Sequence, residues 1–164
     1  MSGQEYAFSV LAVVGLVSAF RLVTTKNVVH GALYLVMTLA SVGAIYLVLA
    51  AEFVAWVQIL IYVGAIVVLF LFGLMLTKAP IGREALDNQQ RGIAALVALG
   101  ILAGLLFILQ DAFSGQRIHT SQTTTAAVGE SIFRHFVLPF EAISFLLLAA
   151  LIGAVVLARK DDAG

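Results

Sequence analysis

Nine acids, nine bases and three histidines are the titrating side chains of this 164-residue chain, and none falls near the middle of an apolar stretch. The acids are Glu5, Glu52, Glu84, Asp87, Asp111, Glu130, Glu141, Asp161 and Asp162, each in a polar segment or beside the end of an apolar one. Ionisable groups inside a bilayer are costly and mark ion pathways in pumps and transporters. A chain without them cannot pump protons alone by titrating its own side chains. His30 stands far from His119 and His135, so no histidine pair has metal or haem spacing; His30 reads as a capping or subunit-contact residue. The absence of cysteine removes disulfides, thiolate nucleophiles, iron–sulfur ligation and cysteine zinc sites together. No P-loop or glycine-rich dinucleotide fingerprint appears, and zero net charge gives no hint of nucleic acid. The expectation is therefore no catalytic centre, no metal and no cofactor held by this chain.

The polar groups that remain inside apolar sequence are uncharged. Gln58 and Tyr62 are four apart in the third apolar stretch, which on an α-helix puts them on one face. Both need hydrogen-bond partners in hydrocarbon. Gly64 follows two residues later, with bulky Val63, Val67, Val68 and Phe70 around it. Mid-helix glycine weakens a helix by up to about 1 kcal/mol against alanine. On the residues alone it suits close packing of a neighbouring helix, or a π-bulge, a feature that collects at functional sites. Thr38 and Ser41 are the other candidates for lining a polar path.

The elements that carry these residues follow from composition. Hydrophobic residues make up 62% of the chain and charged ones 11%, against roughly 45–50% and 25% in soluble domains. A helix crosses a bilayer with about 20 apolar residues. Five stretches qualify, at about 6–23, 29–50, 53–76, 93–109 and 138–158, giving an all-α integral membrane protein in one domain over 1–164. The first lacks the basic flank of a cleavable signal. Only Ala51 and Glu52 separate spans two and three, which predicts a tight helical hairpin. Arg21, Lys26, Lys78, Arg83, Arg91, Arg159 and Lys160 fall on one side, against Arg117 and Arg134 on the other. The positive-inside rule then sets the N-terminus outside and the C-terminus in the cytoplasm. Residues 78–90 read as a short connector, and 111–137 as a polar outer loop. Gly100 and Gly104 form a GxxxG, and Gly15–Ala19, Ala149–Gly153 and Ala150–Ala154 are further small-residue pairs suited to helix contact in lipid. Glu141, beside Pro139, suits the positive end of span five as a capping carboxylate.

Three blocks carry a family resemblance. Gln58 followed by the run Tyr62 to Phe72 resembles span three of the J subunit of bacterial NADH–quinone oxidoreductase, respiratory complex I, whose mitochondrial counterpart is subunit six. The run Asn27 to Leu35 looks like the family's start of span two, and Phe133 to Ser144 like its entry into span five. The match covers nearly the whole chain, in order. Two departures stand out: Gln58 where some relatives have Glu, and Val28 where many have Pro. The resemblance implies a multi-pass subunit of the bacterial plasma membrane, in the membrane arm against the A-, H-, K- and N-type subunits. It implies that NADH, FMN, iron–sulfur clusters and quinone belong to other chains. It also implies that span three passes between a π-bulged and a regular form, opening and closing a water path around Gln58, Tyr62, Val63, Gly64, Val67, Val68 and Phe70. The competing reading is a membrane subunit of an unrelated ion transporter or channel, which would want polar residues along several spans.

Overall fold

A computed structural model describes residues 3–77, 91–114 and 124–159, all helical apart from short joints. The 78–90 connector, Arg117, His119 and Lys160 lie outside the described residues. Five helices are long and apolar enough to cross a membrane, close to the expected spans: Gly3–Thr24, Val28–Val48, Glu52–Leu76, Gly92–Phe113 and Val137–Ala158. The chain forms two compact units, Met1–Gln122 and Thr123–Gly164.

In the first unit, α1 (Gly3–Thr24) packs on α2 (Val28–Val48). A short turn joins them because Asn27 caps α2: its Oδ1 accepts from the backbone N–H of Val29 at 2.9 Å and of His30 at 3.3 Å. Val28 thus holds the first helical position, where a proline also fits since its N–H would have no helical partner. The departure from the family pattern leaves the helix start intact. The small residues of α1 and α2 meet. A Cβ placed on Gly15 would come 3.3 Å from Ser41 Cβ, so the Gly15–Ala19 pair marks a real contact within the chain.

The expected hairpin between spans two and three is present, closed by a Schellman motif. Ala51 N–H donates to the Tyr46 carbonyl and Ala50 N–H to that of Leu47. That geometry needs a left-handed residue, and Ala50 supplies it at φ 58. An alanine Cβ is strained there, costing roughly 1–2 kcal/mol. Ala50→Gly is expected to relieve about 1 kcal/mol of this, raising the temperature at which the assembled complex loses this subunit in a native-gel heating series. An unchanged or lower midpoint would show that Ala50 is not strained.

The third span has three parts: α3 (Glu52–Val57), a π-helical segment, π1 (Gln58–Val67), and α4 (Val68–Leu76). The fourth span is α5 (Arg91–Phe113), whose described side chains are exposed along its length. Nothing lies within 4 Å of a Cβ built on Gly100 or Gly104, so this GxxxG face is open.

The second unit corrects the reading of 111–137 as loop throughout. Asp111 to Phe113 continue α5, and Thr125–His135 form an amphipathic helix, α6. Thr124 caps it by accepting from Ala127 N–H, and Glu130 pairs with Arg134 one turn on at 3.0 Å. Val128 and Ile132 are half-buried, α6 packs on α7 (Val137–Ala158), and Phe133 meets Phe140 edge-on with centroids 5.2 Å apart. Glu141 does not cap α7. It is the fifth helical residue, past the free amides, and makes no hydrogen bond or ion pair among the described residues.

Candidate functional site

The third span is where the backbone leaves regular α geometry. Ten residues, Gln58–Val67, wind with i→i+5 hydrogen bonds in the middle of an apolar helix. The span enters and leaves this segment as ordinary right-handed helix, with φ −59 at Val57 and −62 at Val68. Gly64 lies inside it. A Cβ there would meet only the Ile59 carbonyl, at 3.5 Å. That carbonyl is five residues back, the acceptor position for the Gly64 N–H in i→i+5 geometry.

One end of the segment is held. Gln58 is 9% exposed, and its Nε2 donates to the Leu39 carbonyl of α2 at 3.4 Å. Gly43 of α2 makes the approach possible: a Cβ there would come 3.0 Å from Ile59 Cγ1 and 3.4 Å from Gln58 Cγ. Just before Gln58, Ala55 is fully buried. At the other end Val67 is 1% exposed, the last tightly buried residue before α4. The segment is therefore gripped at Gln58–Ile59 and again at Val67.

The π geometry corrects the pairing expected from sequence. Gln58 and Tyr62 do not share a buried face. In an α-helix, residues four apart stack; the wider π turn sets Gln58 beneath the gap between Tyr62 and Val63, and of these two Val63 is half-buried. Tyr62 points away and is 46% exposed. Gly64, Val68 and Phe70 are exposed too. The site is thus split: Gln58, Val63 and Val67 are buried or half-buried, Tyr62, Gly64 and Val68 are exposed, and Phe70, about half exposed, borders a groove shared with α1 and α2.

Sequence reasoning missed Gly43, which seats the segment. Its signal was present, since Ala40, Ser41, Gly43 and Ala44 cluster small residues in the second half of α2. The polar candidates Thr38 and Ser41 line nothing. Their hydroxyls donate to the carbonyls one turn back, Tyr34 at 2.8 Å and Met37 at 2.7 Å. Among the described residues no three His, Asp or Glu side chains come together as a metal site would need.

A family model described as NADH-ubiquinone/plastoquinone oxidoreductase chain 6 matches residues 18–157, a stretch that contains the whole third span. The chain belongs to this family. Among its relatives, chain 6 of an NAD(P)H-quinone oxidoreductase from Leptolyngbya boryana is 38% identical over 96% of this chain and 81% of the relative. Subunit J of the F(420)H(2) dehydrogenase of Methanosarcina mazei is also 38% identical, over 94% and 90%. Subunit J of the NADH-quinone oxidoreductase of Pseudomonas aeruginosa is 33% identical over 96% and 98%. These chain 6 and subunit J proteins are named for three different electron donors. What they share with this chain is the membrane-spanning sequence, from near its first residue to near its last.

Proposed function

We propose that this chain is a non-catalytic membrane-arm subunit of a proton-pumping NADH:quinone oxidoreductase, whose third span acts as a conformational gate coupling quinone reduction to proton translocation. The observation that carries the reading is the ten-residue π segment, Gln58–Val67, in a span whose one carboxylate, Glu52, stands at its first residue and whose interior holds no Asp, Glu, Lys, Arg or His. Family membership supports the assembly. The whole chain, 1–164, serves as one membrane domain in the bacterial plasma membrane, N-terminus outside and C-terminus cytoplasmic. Its partners are the A-, H-, K- and N-type subunits. NADH, FMN, iron–sulfur clusters and quinone are bound by other chains, and no step here runs through them.

The gate follows from helix arithmetic. Each wide turn of the π segment that relaxes to regular helix gives up about one residue, which rotates everything beyond it by roughly 100° per turn relaxed. The grip of Gln58 on Leu39 fixes the near end, so the rotation appears in α4 and has to unseat Val67, the buried residue at the far end. It carries Val68 and Phe70 from one neighbour to another and opens or closes a gap beside them. Water entering that gap conducts protons with no carboxylate, histidine or lysine in the interior of this span. Tyr62, outward-facing, offers its hydroxyl to order that water. Gln58 cannot hold a titrating proton, so any relay uses water and carboxylates of the partners.

Because the chain has no cysteine, one introduced thiol reports the gate. Val68→Cys, in the assembled complex, is expected to react several-fold faster with a water-soluble maleimide during turnover than at rest, and to return to the resting rate under a quinone-site inhibitor. Adducts are read on this chain by mass spectrometry. Equal rates at rest and in turnover would refute a gate at this position.

A further inference from the structure

At the membrane face where α1 ends, α2 begins and α4 ends, the three helices leave a groove of about 250 Å³. Its walls are mostly apolar, with Leu22 from α1, Leu35 from α2 and Phe70 and Leu74 from α4. Lys26 and Thr25, in the turn between α1 and α2, stand at its polar end. Lys26 is exposed, and among the described residues it forms no ion pair. The side-chain acceptors of that turn are already engaged, while the Asn27 side-chain amide N–H groups and the Thr25 hydroxyl proton remain as donors beside Lys26. Asn27 Oδ1 caps α2, and Thr25 Oγ1 accepts from Asn27 N–H at 3.4 Å.

We infer that this groove binds one anionic phospholipid, an acyl chain lying against Leu22, Leu35, Phe70 and Leu74 and the phosphate at Lys26. Three features select this occupant. Polar groups stand only at one end, at Thr25, Lys26 and Asn27, so a hydrated soluble anion gains nothing from the apolar walls, whereas a phospholipid uses both. An acyl chain fits along such apolar walls, and burying its methylenes is favourable at roughly 0.8 kcal/mol each. The ammonium of Lys26 is a compact donor on a flexible stem, which suits a phosphate at the bilayer boundary. Basic pockets between spans are where anionic headgroups are held.

The test uses the whole complex, delipidated and returned to phosphatidylcholine vesicles carrying a trace of either phosphatidylglycerol or phosphatidylcholine with a photoreactive acyl chain. Labelling is done at rest. The result therefore stands apart from the proposed gate: a failed gate leaves it untouched, and its failure leaves the gate standing. Phosphatidylglycerol is expected to label Leu22, Leu35 or Leu74 well above phosphatidylcholine. Lys26→Gln should lower that labelling about fivefold, the weight of one lysine near an anionic surface; Lys26→Arg should keep it, and Leu35→Trp, filling the groove, should abolish it. Equal labelling by the two lipids, indifference to Lys26→Gln, or no label in the groove because another subunit covers it would each overturn the proposal.

Discussion

Replacing Gly43 with valine is expected to leave the complex short of this subunit. A Cβ at position 43 alone comes 3.0 Å from Ile59 Cγ1 and 3.4 Å from Gln58 Cγ. Valine adds two methyl groups at that contact, in a helix that allows its side chain essentially one rotamer. The helices cannot slide apart along their axes, because the turn at Ala50 and Ala51 joins them through only three residues. They must separate sideways, and the Gln58 bond to Leu39, already 3.4 Å long, breaks. Overpacking costs about 1–3 kcal/mol, and a buried amide left without its partner adds a similar amount. A loss of that size changes the abundance of a marginal protein several-fold. Assembled complex, quantified on native gels, should fall accordingly. Gly43→Ala should fall less, since Ile59 needs to give only a few tenths of an ångström. Full assembly of Gly43→Val would show that α2 is not the seat of the third span.

What the sequence discloses about this molecule follows the strength of each physical signal. Apolar length is a strong one in lipid, so all five spans were legible, and so was the hairpin at Ala51–Glu52. Charge at span ends was legible because hydrocarbon excludes it. Side-chain direction within the third span was not. The stacking of Gln58 on Tyr62 assumed an α-helical turn; the wider π turn sets Gln58 between Tyr62 and Val63, with Val63 the more buried of the two. The potential for such a segment could be read from Gly64; its length of ten residues could not. Helix α6 was hidden because its signals are local and weak: a threonine cap, one Glu130–Arg134 pair and two apolar residues at Val128 and Ile132. They lie inside a segment whose Ser and Thr content reads as loop. Glu141 was misassigned by proximity. Pro139 lies near the start of α7, but the free amides belong to its first turn, and Glu141 comes one residue too late.

The largest functional effect is expected at Gly64, and it should appear without loss of assembly. Gly64 is exposed, and a Cβ there meets only the Ile59 carbonyl, at 3.5 Å, an ordinary contact. Gly64→Ala therefore fits the π form and serves as the control, with near-normal pumping. Valine differs in its two methyl groups. In a helix they restrict χ1 to essentially one rotamer, and one must lie close to the strip of backbone that includes the Ile59 carbonyl. The penalty need not be large. A bias of about 1 kcal/mol in either direction shifts a two-state population about fivefold, and a gate works only if both forms are visited in each cycle. The packing at Gly43 and Gln58 that assembly depends on is on the other face, so the subunit should enter the complex normally and redox centres in other chains should be reduced as before. Proton translocation coupled to quinone reduction should fall, measured as the ratio of protons moved to electrons transferred and as the turnover rate in sealed vesicles. If Gly64→Val assembles and both quantities equal those of the unaltered chain, the π segment is a packing detail and the third span is no gate. If pumping falls in Gly64→Val but not in Gly64→Ala, the side-chain branch and not the loss of glycine is responsible, as a switch through this backbone requires.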